Sequence, residues 1–176
     1  MKDKKLLLDI KEYLKCYEDQ VLEDWYELIR HISVSETGEG IEACCDWIQK
    51  KMEEIGIQVT KYSVKPAPVL VGRFGNNPEK KTVLIYAHYD VKPAGERKLW
   101  YSDPFVPTVG DGKVYARGSA DNKSPLMAHL KALEYFIRKK MEVPVNVIFV
   151  FEGDEECGSR GLEEFLADHR SELAAD

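Results

Sequence analysis

The nine residues VLIYAHYDV, at positions 83–91, constrain the fold more than any other stretch of the chain. They begin with five uncharged apolar or aromatic residues and turn polar at His88, Tyr89 and Asp90. A short, uncharged apolar run of this kind is typical of a buried strand in an α/β sheet. The polar triplet therefore falls at the carboxyl end of a strand, where open α/β sheets place ligands and catalytic groups.

A second apolar run, VNVIFVF at positions 145–151, predicts another central strand. It is also followed at once by a charged cluster, EGDEECGS. Apolar residues repeat at helical spacing over 6–28, 41–55, 124–137 and 161–176. Shorter strand patterns occupy 57–63 and 69–74, and Asp111-Gly112 predicts a tight hairpin turn. This order of elements predicts an α/β domain with a mixed sheet flanked by helices.

The start of the helix over 124–137 has a specific signature. Ser124 can accept hydrogen bonds from the first helical amides, and Pro125 suits the first helical position because it lacks an N–H. Asp121 lies just before this start. The sequence therefore predicts Ser124 as the N-cap and Asp121 at the entrance to a helix.

Composition limits the possible partners and compartments. The chain has 176 residues, enough for one domain, and a net charge of −6 without a long basic run, so we expect no nucleic-acid binding. Its apolar stretches are too short for a membrane span, and its first residues lack the core of a signal peptide. The four cysteines show no CxxC pair, which favours reduced, structural thiols. These features predict a cytoplasmic protein that does not bind membranes.

His88 and Asp90 are two residues apart, so on an extended segment their side chains point the same way. That spacing suits a metal-bound imidazole whose other nitrogen is fixed by a carboxylate. On this triplet alone, a histidine that simply ends a strand is the more common explanation. The other charged clusters change that balance.

The segment 152–156 holds four carboxylates in five positions. They repel one another, and burial would raise their pKa values, so we expect this segment to be loose or partly protonated without a cation. A multivalent cation would remove the repulsion. One histidine with several carboxylates suits Zn²⁺, with Mn²⁺ or Co²⁺ as alternatives. If the segment is extended, Glu155 and Glu156 face opposite ways, so that one binds metal and the other stays free.

The segments HYDV, WYSDPF, ARGSADNK and EGDEECGS, in this order, resemble the co-catalytic zinc exopeptidases. That family includes carnosine-type dipeptidases, aminoacylases and glutamate carboxypeptidases. The resemblance implies that His88 binds one zinc ion, Glu156 binds the other, and Asp121 bridges both. It also implies that Asp90 orients His88 and that Glu155 is the general base. The expected activity is zinc-dependent hydrolysis of the amide bond in dipeptides or short peptides.

The chain also departs from that family. Asn122 and Ser124 stand where the family commonly has an acidic residue and a glycine. Family members have two further ligands downstream, an acidic residue and a histidine, and a lid and dimerisation domain. We therefore expect residues 1–176 to be a single, C-terminally incomplete catalytic domain that lacks the lid. Alone it should be inactive, and the full-length protein could be a homodimer.

Two other functions remain open. An N-acyl-amino-acid amidohydrolase would use the same metal core on a different acyl group. A non-catalytic module could keep the fold, although it would have no need to bury clustered carboxylates. Within the acidic segment, we expect Glu152 and Asp154 to stabilise the loop instead of binding metal.

Overall fold

The computed structural model describes residues 2–176. Its helices are α1 (Lys2–Arg30), α2 (Ile41–Glu54), α3 (Lys123–Arg138) and α4 (Leu162–Asp168). Its strands are β1 (Gln58–Tyr62), β2 (Val69–Phe74), β3 (Thr82–His88), β4 (Thr108–Gly110), β5 (Lys113–Tyr115) and β6 (Asn146–Glu152). Short 3-10 turns span Arg97–Leu99 and Glu155–Cys157.

The main sheet has the strand order β1-β2-β6-β3. Strands β1 and β2 pair antiparallel, as do β2 and β6, whereas β3 and β6 pair parallel. Apolar residues of α2 and α3 pack with Phe149 and Phe151 of β6 in one cluster. Phe165 of α4 packs with Val69 and Val150 in a second cluster. The predicted mixed sheet flanked by helices is confirmed.

The two strands that precede the charged clusters differ in burial. Every residue of β6 is buried, as predicted, because β6 lies between β2 and β3. Strand β3 lies at the edge of the described sheet, and Val83 and Tyr86 are 41% and 44% exposed. The expectation that residues 83–87 are wholly buried was therefore wrong. Apolar composition alone does not distinguish a central strand from an edge strand.

The predicted ends of two helices were also wrong. Helix α3 begins at Lys123 with Asn122 as its N-cap residue, so Ser124 is not the cap and Pro125 is the third helical residue. A proline is tolerated anywhere in the first turn, since those amides have no helical partner. Helix α4 ends at Asp168 and does not extend to position 176.

The predicted hairpin between β4 and β5 is confirmed. Its two turn residues, Asp111 and Gly112, both have positive φ angles, 51° and 70°. That is the turn whose twist matches the twist of the paired strands.

No helix within residues 2–176 is long and apolar enough to cross a membrane.

A charge network joins the three longer helices. Asp24 of α1 is buried and accepts hydrogen bonds from Lys51 of α2, at 3.0 Å, and from Lys131 of α3. Lys131 also pairs with Glu134 at 2.6 Å, and Glu134 with Arg138 at 2.6 Å. Burial alone would raise the pKa of Asp24, but the two lysines hold it below its ordinary value. The network fixes how α1 packs against α2 and α3.

We expect Asp24→Asn to lower the free energy of unfolding by about 3 kcal/mol, because the change leaves two lysines without their shared partner. Asp19→Asn, on the exposed face of the same helix, is the matched control. Because the pKa of Asp24 is lowered on folding, its contribution is present above pH 3.8 and is lost as pH falls below that value. Urea unfolding at pH 7 and pH 3 measures both effects. A loss below 1 kcal/mol at pH 7 would contradict the role of Asp24.

Candidate active site

The parallel pairing of β3 and β6 brings the two charged segments together. His88 is opposite Glu152 in the register, and the Tyr89 amide donates to the Glu152 carbonyl at 2.8 Å. Beyond Glu152, the backbone of Gly153 lies directly against the ring of Tyr89. A Cβ atom at position 153 would be 2.4 Å from Tyr89 Cζ, so only glycine fits there. Both segments therefore leave the sheet at the same end and in contact.

His88 is buried and lies between carboxylates. Its Nδ1 is 3.3 Å from Asp90 Oδ1 and 3.2 Å from the Asp90 carbonyl. Its Nε2 is 3.1 Å from Asp121 Oδ1 and 3.7 Å from Glu155 Oε2. Burial would lower the pKa of His88, but the hydrogen bond and charge of Asp90, with the charges of Glu155 and Asp121, raise it to about 9. The carboxylates around His88 therefore favour a positive charge at this position.

Asp90 is fully buried and links the two segments. Besides contacting His88, its carboxylate accepts hydrogen bonds from the backbone amides of Glu155, at 3.2 Å, and Glu156, at 3.0 Å. Burial would raise the pKa of Asp90, but His88, Ser35 and the Glu156 amide hold it below its ordinary value. The sequence suggested only the contact with His88. The two amide contacts could not be predicted because they depend on the turn that follows β6.

Glu155 and Glu156 lie in a 3-10 turn and are not extended, so the predicted alternation of their side chains does not apply. The Glu155 side chain is 43% exposed and reaches toward His88. The Glu156 carboxylate is instead 3.5 Å from Lys92 Nζ, and Lys92 also donates to the Glu156 carbonyl. The structure thus gathers His88 with Asp121 and Glu155, and it places Glu156 beside Lys92.

The expectation that the carboxylates of the acidic segment would be uncompensated was wrong for Glu152 and Asp154, whereas the expected rise in pKa on burial is found at Glu152. Glu152 is buried, and its Oε1 accepts hydrogen bonds from Tyr86 at 2.6 Å and Ser159 at 2.7 Å. Burial raises its pKa, although both hydroxyl groups oppose the rise. Asp154 is also buried and pairs with Arg160. Two of the four carboxylates are therefore satisfied by neighbouring side chains.

The segment 31–35 supports the site but was not singled out in the sequence. The Ser33 hydroxyl donates to the Tyr89 carbonyl at 2.7 Å, and the Ser33 carbonyl accepts from the Val91 amide at 2.8 Å. The residues on both sides of Asp90 are therefore held by Ser33. The only hint in the sequence was the alternation of Ser33 and Ser35, and this pattern does not indicate which residues the two hydroxyl groups contact.

Lys123 was likewise missed. Its side chain is fully buried and donates to the His31 carbonyl at 2.5 Å, and burial lowers its pKa. Asp121, two residues earlier, has an exposed carboxylate. The buried lysine fixes the beginning of α3 against the segment after α1, and so holds the backbone that presents Asp121.

The site offers part of a ligand set for a divalent cation. Among residues 2–176, no three His, Cys, Asp or Glu side chains form a group that could hold a metal ion. His88 Nε2 and Asp121 Oδ1 are, however, 3.1 Å apart. Two ligands bound tetrahedrally to zinc, each about 2.0–2.1 Å from the metal, lie roughly 3.3 Å apart. This pair fits two positions of such a site.

Several relatives of this chain carry the names of dipeptidases. The sequence is 42% identical over 120 residues to the Cys-Gly metallodipeptidase dug1 of Schizosaccharomyces pombe, covering 66% of this chain and 25% of that protein. It is 44% identical over 99 residues to the human Beta-Ala-His dipeptidase, covering 56% and 20%. The crystal structure of human carnosine dipeptidase 1 superposes with a TM-score of 0.90 at 29% identity, covering 95% of this chain and 38% of that one.

The chain spans about a quarter of the length of the dug1 relative. The sequence profile of peptidase family M20/M25/M40 matches residues 84–176, which is more than half of the chain and includes every residue gathered around His88. The chain therefore belongs to peptidase family M20/M25/M40.

Proposed function

We propose that the protein containing this chain is a metal-dependent peptidase that hydrolyses dipeptides. The observation that carries this proposal is the environment of His88, whose Nε2 faces Asp121 and Glu155 while Nδ1 is held by Asp90. The family implies a divalent metal, and the chemistry of one imidazole with oxygen ligands supports zinc. The names of the two dipeptidase relatives support dipeptides as substrates.

In this proposal His88 and Asp121 would hold one metal ion, and Asp121 and Glu156 would hold a second. When bound, the metal would polarise the scissile carbonyl and lower the pKa of the attacking water. Asp90 holds the His88 ring through Nδ1, which leaves Nε2 as the free ligand atom. The resemblance to the family supports two further ligands, an acidic residue and a histidine, elsewhere in the same protein.

Glu155 is proposed as the general base. Its carboxylate lies on the open side of the site and is close enough to Nε2 of His88 to reach a water beside the metal ligands. It would accept a proton from that water and then donate it to the amine that leaves when the peptide bond breaks. We also propose that residues 1–176 form one part of a catalytic domain, with a lid and dimerisation domain elsewhere in the protein.

Glu155→Gln should lower dipeptide turnover by about 10²–10⁴-fold, because the amide cannot accept the proton. Zinc content should stay unchanged, since Glu155 is not proposed as a ligand. The protein is expressed from the complete open reading frame, and Glu163→Gln on the exposed side of α4 is the control. Joint loss of zinc and activity would reassign Glu155 as a ligand.

A substrate panel with dipeptides and N-acetyl amino acids separates a dipeptidase from an N-acyl amidohydrolase.

Zinc affinity should rise by about tenfold per pH unit from pH 6 to 9 and then level off. The reason is that the metal must displace the proton that His88 keeps up to its pKa of about 9. Competition with a chromogenic chelator measures the zinc dissociation constant of the full-length protein across this range. His88→Ala should weaken binding and remove the slope, whereas His129→Ala on the exposed side of α3 should not. A slope that persists in His88→Ala would contradict the assignment.

A further inference from the structure

We infer that Arg160 is a positioning residue for the turn that carries Glu155 and Glu156. Arg160 follows the acidic motif and was not assigned a role from the sequence. The effect of Arg160 on zinc binding rests on the proposed function of the two glutamates. Its effect on the geometry of the turn does not, because that effect can be measured without metal. Arg160 acts through Asp154 and does not contact the proposed ligands in this role.

Arg160 contacts Asp154 through three nitrogens. Its backbone amide and its Nε each donate to Asp154 Oδ2 at 2.9 Å, and its Nη2 donates to Oδ1 at 2.7 Å. The guanidinium therefore engages both carboxylate oxygens, which is the strongest and most directional form of this pair. Asp154 is only 3% exposed, whereas the Arg160 side chain is 57% exposed. An accessible arginine thus neutralises a buried carboxylate.

Asp154 also closes the turn through its backbone. Its carbonyl accepts hydrogen bonds from the Cys157 amide at 3.1 Å and the Ser159 amide at 2.9 Å. Glu155 and Glu156 therefore lie inside a loop whose two ends meet at Asp154. The direction of both glutamates depends on this closure. The carboxylate of Asp90 then binds the amides of the same two residues from the other side.

Two opposite effects are expected when Arg160 is removed. Removing a positive charge near a cation site would by itself tighten cation binding. Leaving Asp154 buried without its partner would open the loop and weaken the binding of a cation by Glu156. Outer residues that orient metal ligands typically change metal affinity by about 10–100-fold. The sign of the change in zinc affinity therefore distinguishes positioning from a simple charge effect.

The test uses the full chain, residues 1–176, with the variants Arg160→Gln, Arg160→Lys and Asp154→Asn/Arg160→Gln. Arg170→Gln, an exposed arginine beyond α4, is the matched control. Amide hydrogen exchange at Glu155 and Glu156 is measured by NMR without metal, with Phe149 in β6 as the internal reference. Zinc affinity is measured separately, by chelator competition on the same variants of the protein expressed from the complete open reading frame.

In Arg160→Gln, exchange at Glu155 and Glu156 should become about tenfold faster or more while Phe149 is unchanged, and zinc affinity should fall by about tenfold. Arg160→Lys should lie between Arg160→Gln and wild type, because lysine keeps the charge without the two-pronged contact. The double variant should be no worse than Arg160→Gln, since the two residues act as a pair.

Wild-type exchange at Glu155 and Glu156 in Arg160→Gln would overturn the inference, and so would tighter zinc binding. If the wild-type full-length protein binds no zinc, the proposed metal site fails, and the exchange rates alone decide the role of Arg160. If Arg160→Gln does not fold, Arg160→Lys gives the same comparison, with faster exchange supporting the inference and unchanged exchange overturning it.

Discussion

The buried carboxylate of Asp90 is the interaction on which the rest of the site depends. A carboxylate without donors would be costly in the interior, so its position requires donors from two parts of the chain at once. The His88 ring supplies one donor, and the amides of Glu155 and Glu156 supply two more. The end of β3 and the turn after β6 are therefore arranged as one unit. Parallel pairing of the two strands brings these segments close enough for that arrangement.

The acidic charge of the site is divided into two sets. Glu152 and Asp154 are buried and have hydrogen-bond partners within the protein, Tyr86 and Ser159 in the first case and Arg160 in the second. Asp121 and Glu155 are exposed and face His88, and together with Asp90 they raise the pKa of its imidazole to about 9. The exposed acidic charge of the site thus lies beside His88, where a cation would bind. The same division explains why four clustered carboxylates do not disorder the segment.

Elements that depend on local sequence patterns were predicted correctly, whereas contacts between residues far apart in the sequence were not. Strand β6, the hairpin at Asp111 and the mixed sheet follow from periodicity and turn chemistry. The cap of α3 was misplaced, because a proline in the first turn does not fix the first helical residue. The contacts of Ser33 and Lys123 join residues 56 and 92 positions apart, so no local pattern indicates them. The spacing of His88 and Asp90 indicated their contact, whereas the Glu155–Cys157 turn was mistaken for extended chain.

The most direct test of the central claim is the zinc dissociation constant of Asp90→Asn, measured beside wild type and Asp168→Asn at pH 8. Asparagine keeps the shape of aspartate but loses its charge and one of its two acceptor oxygens. It can therefore no longer accept hydrogen bonds from His88 and both turn amides together. If Asp90 joins the two segments that carry the proposed ligands, zinc binding should weaken by about 10–100-fold. Wild-type affinity in Asp90→Asn would show that the ligands are held in place without Asp90, and would contradict the claim.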